Sequence, residues 1–275
     1  MSGTALSAWG WNLLITAGCA LAFMTAVFGV GLALGKHRVV DVAWGLAFTI
    51  VAVVSCALSA GHGDLGRRVL ATALTAVWGL RLAGHIARRG RGAPEDPRYE
   101  KLLSKARGSR TWYAYTRVYL GQAALVWFIS MPVQAVEFGE RALGAAAIAG
   151  AILWAIGLFF EAVGDWQLER FKADPANRGK LMRTGLWRYT RHPNYFGDAC
   201  VWWGLFILGV DQWAVLCTIL SPALMTWLLT KGSGKPLTEQ HMIATRPDYA
   251  EYATQTSGFI PLPPRRPIAR TAERS

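Results

Sequence analysis

The stretch Gly185-Leu-Trp-Arg-Tyr-Thr-Arg-His-Pro-Asn-Tyr-Phe-Gly-Asp198 crowds cations, amide groups and flat rings against an apolar run that begins at Ala199. Arg188 and Arg191 carry guanidinium forks that match the spacing of phosphate oxygens. Asn194 offers both an amide donor and an acceptor. Trp187, Tyr189 and Tyr195 offer faces on which a ring can lie. Asp198, on the first turn of the following helix, can orient an arginine or accept from a ligand hydroxyl or carboxamide. Pro193 fixes its own backbone and biases His192 towards an extended conformation, so the chain should turn here before the next helix starts. These are the groups that a dinucleotide needs, with its phosphates and its rings. The same arginines and aromatics would equally suit a helix anchored at the level of lipid headgroups, and composition alone leaves both readings open.

Three further clusters carry ionisable groups. Glu161, Asp165, Gln167, Glu169, Arg170 and Lys172 follow one another at helical spacing, which sets Glu161 and Asp165 on one side of a helix. Acidic groups next to a membrane interior are costly and usually partnered. Glu239, His241, Asp248 and Tyr249 form a C-terminal group. In the N-terminal half, Asp41 and Trp44 lie about one turn apart, as do Arg81 and His85. An Asp41–Arg81 pair is one reading of these charges, and a polar site for a substrate carbonyl is the other. The five histidines lack metal-ligand spacing, and Cys19, Cys56, Cys200 and Cys217 form no Cys-x-x-Cys pair. No metal site is expected.

The elements that must position these groups are membrane helices. Apolar residues make up 53% of the chain, the mean hydropathy is +0.25, and there are 13 Trp. Runs of roughly the 20 residues that cross a bilayer can be read near Trp11–Leu34, Val39–Ala60, Val69–Ile86, Leu120–Val136, Leu143–Val163, Ala199–Val210 and Trp213–Leu229. The expected fold is therefore an all-α polytopic bundle of about seven transmembrane helices. The first run lacks a basic leader and is long, so it reads as a helix of the mature chain. No repeat and no long linker divides the chain. Residues 1–262 read as a single membrane domain whose cofactor-binding half spans about 143–262, and 263–275 as a basic disordered tail. Two polar connections, Arg88–Arg117 and Gly164–Gly197, exceed what neighbouring helices need and are natural places for function.

Seven spans would set nearly all of the 29 Lys and Arg on one side, leaving Arg67, Arg68 and Arg141 on the other and Arg81 within a span. Basic residues are retained on the cytoplasmic side. The N-terminus is thus expected outside and the C-terminus in the cytoplasm of a bacterial inner membrane. The net charge of +12 then reflects topology and anionic lipid. No nucleic-acid-binding module accompanies it, and nucleic acid is not an expected partner. Membrane lipids and a hydrophobic small-molecule substrate are; the oligomeric state is not legible.

The order Arg-His-Pro-Asn-Tyr-x-Gly-Asp at 191–198 resembles the C-terminal signature of the steroid 5-alpha-reductase and sterol-reductase superfamily, and the whole chain looks like its bacterial branch. Asp41-Val-Ala-Trp-Gly45, Glu95-Asp-Pro-Arg-Tyr99, Lys231 to Glu239, Arg246-Pro-Asp-Tyr249 and Gly258-Phe-Ile-Pro261 extend the likeness close to full length. The resemblance implies NADPH held by membrane helices and their loops. It implies that Asp165, Gln167, Lys172, Trp187, Arg188, Arg191, His192, Asn194, Tyr195, Asp198 and Glu239 contact the cofactor. No Gly-x-Gly-x-x-Gly element is present that would signal a soluble dinucleotide fold. The implied reaction is reduction of an activated C=C bond in a lipid-like molecule, with Asp41 and Arg81 as catalytic candidates. Trp78 falls near where steroid 5-alpha-reductases carry a Tyr, so the proton donor and the steroid substrate do not carry over. Isoprenylcysteine carboxyl methyltransferases, which use S-adenosylmethionine, share Arg-His-Pro-x-Tyr-x-Gly; Asn194 and Asp198 favour the reductase. A non-catalytic lipid-binding protein of the same fold is the third alternative.

Overall fold

A computed structural model of the chain describes residues 2–232 and 234–265. The tail expected after Leu262 lies, from residue 266 onward, outside the described residues. The described residues form helices and no strand, with one isolated bridge between Thr190 and Ser257. The all-α expectation holds. In chain order the helices are α1 (Gly3–Leu34), α2 (Val39–Leu58), α3 (Leu65–Gly90), α4 (Pro97–Leu103), α5 (Arg110–Ala114), a π-helical turn at Tyr115–Leu120, α6 (Gly121–Ile129) and α7 (Met131–Glu137). They continue as α8 (Ala145–Ala173), α9 (Pro193–Ile207), α10 (Trp213–Leu216), α11 (Leu220–Thr230), α12 (Lys235–Thr245) and α13 (Tyr249–Gln255).

Among the described residues, five helical stretches are long and apolar enough to cross a membrane. A sixth counts if Arg110–Ile129 and Met131–Glu137, bent by 42°, form one span. Pro132 explains the bend, because it has no N–H for the ladder and its ring crowds the preceding turn. The expected span Ala199–Val210 departs from the seven-span reading. It becomes α9, 15 residues that rise only about 22 Å against a hydrocarbon layer of roughly 30 Å. Pro193 sets its start, and the turn around Gly209 to Gln212 ends it.

The chain forms two compact units, Met1–Ala151 with Leu205–Pro222, and Ile152–Gly204 with Ala223–Ser275. In the first, α2 and α3 cross at Gly45 and Gly79, where a Cβ on either residue would run into the other's carbonyl oxygen. Trp44, Phe48 and Trp78 pack edge to face beside this crossing. Asn12 and Thr16 of α1 both donate to Gln134 Oε1 of α7, at 3.0 and 2.7 Å, so polar groups buried between the helices are answered by each other. Arg67, 1% exposed at the start of α3, clamps Asp211 with two bonds of 2.7 and 2.6 Å. Its remaining donors reach the carbonyls of Ala142 and Leu208. In the second unit, α8 and α9 run antiparallel with Gly157 against Gly197 and Gly164 against Pro193. Trp203 of α9 donates to Thr226 of α11 at 3.0 Å.

Removing Arg67 strands the Asp211 carboxylate and two backbone acceptors, the carbonyls of Ala142 and Leu208. Arg67→Ala should lower unfolding stability by about 3–5 kcal/mol, read as a lower Tm in detergent. Arg67→Lys should recover little, since an ammonium cannot bond both carboxylate oxygens and both carbonyl sites in one plane.

Candidate functional site

The second unit brings the cassette, the end of α8 and the C-terminal segment together. The cassette opens with a 3-10 turn at Gly185–Arg188. The Leu186 N–H donates to Gln167 Oε1 at 2.9 Å, and the Trp187 indole N–H to the Gly164 carbonyl at 3.0 Å, which fixes this turn against α8. Asn194 at the start of α9 donates to Asp165 Oδ1 at 3.3 Å, and its own Oδ1 accepts the Tyr195 N–H. Asp165, expected to contact a cofactor, here joins α8 to the start of α9.

Arg191 is 11% exposed on its side chain and is spent on the protein. Its Nε and Nη2 meet Glu239 Oε1 at 2.9 and 2.8 Å. Its Nη1 donates to the carbonyls of Ala253 and Thr256 at 2.8 and 2.6 Å. His192 stacks flat on Tyr195 with ring centres 5.1 Å apart, and its Nε2 lies 3.2 Å from the same Glu239 oxygen. Burial lowers the His192 pKa, and the Glu239 carboxylate offsets this only in part. The ring is therefore neutral at pH 7 and presents its Nε2–H to the carboxylate. Tyr195 OH and Thr238 Oγ1 are 3.1 Å apart. The C-terminal segment is also tied by Arg191 N–H to the Ser257 carbonyl, by Thr190 Oγ1 to Phe259, and by Leu262 N–H to Tyr189. Residues 235–262 thus form a strap across the cassette.

Beneath the strap is a cavity of about 530 Å³, within the roughly 300–1,000 Å³ usual for small-molecule sites. Of the residues expected to bind a cofactor, Lys172, Trp187, Arg191 and His192 line it. Arg178, Lys180 and Arg246 add three cations that were not among the expected cofactor residues, and Phe171, Tyr249 and Tyr252 add rings. Burial pushes the Tyr249 phenol up to about 12, so it stays a neutral donor at physiological pH. Asp174 is the acid among the lining residues, and its Oδ1 accepts the Ala176 N–H at 2.9 Å. Setting aside Arg191, which Glu239 answers, four lining cations face one acid, so the lining carries an excess of positive charge beside its rings. A simple count of Lys and Arg in Arg170–Arg191 and after Leu229 would have pointed to Arg178, Lys180 and Arg246, but not to their convergence.

The remaining expected residues lie elsewhere. Arg188 is exposed and outside the cavity lining. Gln167, Asn194, Tyr195, Asp165, Asp198 and Glu239 are also outside the lining. Apart from Asp198, which lies one turn beyond Asn194 on α9, these hold the walls through the bonds described.

In the first unit, Asp41 sits on the first turn of α2 and meets the residues of a second motif. Tyr99 donates its hydroxyl to Oδ1 at 2.5 Å, and Arg98 reaches Oδ2 at 3.0 Å while also binding Asp96. Burial and the adjacent Asp41 carboxylate raise the Tyr99 pKa, so the phenol keeps its proton. Glu95 accepts the backbone N–H groups of His37 and Arg38. The two N-terminal motifs, 41–45 and 95–99, are therefore halves of one contact. Arg81 lies in the middle of α3, one turn before the buried His85.

A family model described as "Protein of unknown function (DUF1295)" matches residues 27–256, from α1 through the end of the strap's α13. The chain belongs to this family. A DUF1295-length likeness also extends to Uncharacterized protein C594.04c of Schizosaccharomyces pombe, 24% identical over 269 residues, 86% of this chain and 75% of the yeast protein. No solved structure matches the DUF1295 chain.

Because Arg191 answers Glu239, Ala253 and Thr256 at once, Arg191→Ala should release the strap. Limited proteolysis should then cut within residues 235–262 at least tenfold faster, a change of about 1.4 kcal/mol in strap opening. Arg188→Ala, on an exposed side chain, should leave the cleavage rate unchanged.

Proposed function

We propose that this DUF1295 member is an integral membrane reductase of the bacterial branch of the steroid 5-alpha-reductase and sterol-reductase superfamily. It would use NADPH to reduce an activated C=C bond in a lipid-like substrate. The observation that carries the reading is the cavity under the strap, with Lys172, Arg178, Lys180 and Arg246 beside Trp187, Tyr249 and Tyr252. A dinucleotide combines several phosphate charges with flat rings, and this lining suits both. The likeness of 191–198 to the reductase signature supports the same conclusion. S-adenosylmethionine carries a sulfonium and an ammonium with a single carboxylate, so a lining with so large an excess of positive charge opposes it.

When bound, NADPH supplies a hydride. The chain's part is to bind and orient: Lys172, Arg178, Lys180 and Arg246 would meet phosphate oxygens, and the aromatic side chains would flank a ring. Arg191 and Glu239 would hold the wall that closes over them. Arg81 is our candidate for polarising a substrate carbonyl, and Asp41, held by Tyr99 and Arg98, for orienting the donors that do so.

Equilibrium binding of NADPH, NADH and S-adenosylmethionine to the full-length protein in detergent tests the reading. NADPH should bind, and more weakly as salt is raised. Lys172→Ala and Arg246→Ala should each cost about 1.5–3 kcal/mol, roughly ten- to over a hundredfold in affinity. Binding of S-adenosylmethionine with indifference to NADPH would replace the reductase with a methyltransferase. Binding of neither would leave the lipid-binding alternative.

We further propose that the chain lies in a bacterial inner membrane with its N-terminus outside and its C-terminus in the cytoplasm. Here α9 crosses as a short pass, which preserves the Lys and Arg asymmetry. Reporter fusions after Leu229 should report a cytoplasmic position and fusions near Ala60–Gly66 an external one. The reverse pattern would overturn the orientation.

A further inference from the structure

We propose that the first unit carries a binding site for the phosphate headgroup of an anionic phospholipid, separate from the cavity in the second unit. The site is a pocket of about 250 Å³ between the first turn of α2 and the last turn of α3. Its wall is apolar, made by Val39 and Val42 of α2 and Ile86 of α3, and its rim is basic, made by Lys36, Arg38 and Arg91.

Two of the rim cations are held in place by backbone carbonyls. Lys36 Nζ donates to the Ala93 carbonyl at 3.1 Å and Arg38 Nη1 to the Pro94 carbonyl at 2.7 Å. These bonds fix the stems and leave the charges uncancelled. Glu95 is the acid beside the rim, and its carboxylate accepts the backbone N–H groups of His37, Arg38 and Asp96. Asp96 and Asp41 are bound by Arg98. Counting Arg98 with the two carboxylates it binds, four cations, Lys36, Arg38, Arg91 and Arg98, stand against three acids, Glu95, Asp96 and Asp41, which leaves an excess of positive charge. Gly90, which ends α3, adds a steric condition: a Cβ there would come 3.1 Å from Arg38 Nη2, so glycine lets the guanidinium lie over the helix end.

The wall decides which anion fits. Helices α2 and α3 are both apolar enough to span a bilayer, and the pocket lies at their ends, where headgroups meet hydrocarbon. A phospholipid can place its phosphate among the rim cations and its chains along Val39, Val42 and Ile86. A soluble phosphate would use the rim and leave the wall bare. Basic pockets between membrane helices bind lipid headgroups in this manner.

Native mass spectrometry of the full chain, released from detergent with added phosphatidylglycerol or phosphatidylcholine, tests the site. Phosphatidylglycerol should stay bound preferentially. Arg91→Ala should reduce its retention about fivefold, the equivalent of one surface cation near lipid. Gly90→Val, which keeps the charge and displaces Arg38, should reduce it as well, while Arg107→Ala, on an exposed loop outside the pocket, should not. Equal retention of phosphatidylcholine, or an equal loss with Arg107→Ala, would overturn the proposal in favour of diffuse attraction. Inorganic phosphate alone, at millimolar concentration without lipid, should raise the Tm far less than phosphatidylglycerol. Equal stabilisation would make this a small-anion site and overturn the lipid assignment.

Discussion

A buried arginine in a chain surrounded by hydrocarbon must find its acceptors inside the protein, since the lipid offers none. Each of the two units is organised around an arginine whose donors are answered within the protein, Arg67 fully buried and Arg191 largely so. In the first, Arg67 gathers Asp211 with the carbonyls of Ala142 and Leu208, so one side chain at the start of α3 fastens two later turns. In the second, Arg191 gathers Glu239 with the carbonyls of Ala253 and Thr256 and holds the strap against the cassette. A guanidinium suits this task because its donors radiate in one plane from one charge. The cost of leaving any acceptor unanswered makes the arrangement specific.

Close helix packing is the second constraint. Apolar side chains gain little by leaving lipid for a protein interior, so contact between spans depends on surfaces that approach closely. Gly45 meets Gly79 in one unit, and Gly157 meets Gly197 in the other. The Gly157–Gly197 contact sets the register of α8 against α9, and with it the meeting of Asp165 with Asn194. The geometry of the cassette therefore begins with two residues that have no side chain.

These two constraints change how the cassette is to be understood. Its most specific letters, Arg191, His192, Asn194 and Tyr195, mostly build the wall and tie down the strap. Much of the positive charge around the cavity comes from Lys172, Arg178, Lys180 and Arg246, which lie outside the 185–198 cassette. Asp41 shows the same pattern in the first unit, where its two oxygens meet Arg98 and Tyr99 of a distant segment. Short motifs here mark where the chain returns on itself.

The sequence alone determined the helical membrane class, because transfer of apolar residues into lipid depends on local composition and length. It placed the second and third spans to within a few residues at both ends, while the first, fourth and fifth run on as helix well beyond the apolar runs, to Gly3, Arg110 and Ala173. It also singled out the 185–198 and 161–172 segments, which do meet. It could not show that α9 stops at 15 residues, because that depends on the turn packed at Gly209–Gln212. Nor could it show that the Arg191 fork is spent on groups 48 to 65 residues away. Residue type and spacing state what a group can donate or accept. Which group answers it is decided only when the tertiary fold brings distant segments within hydrogen-bonding distance.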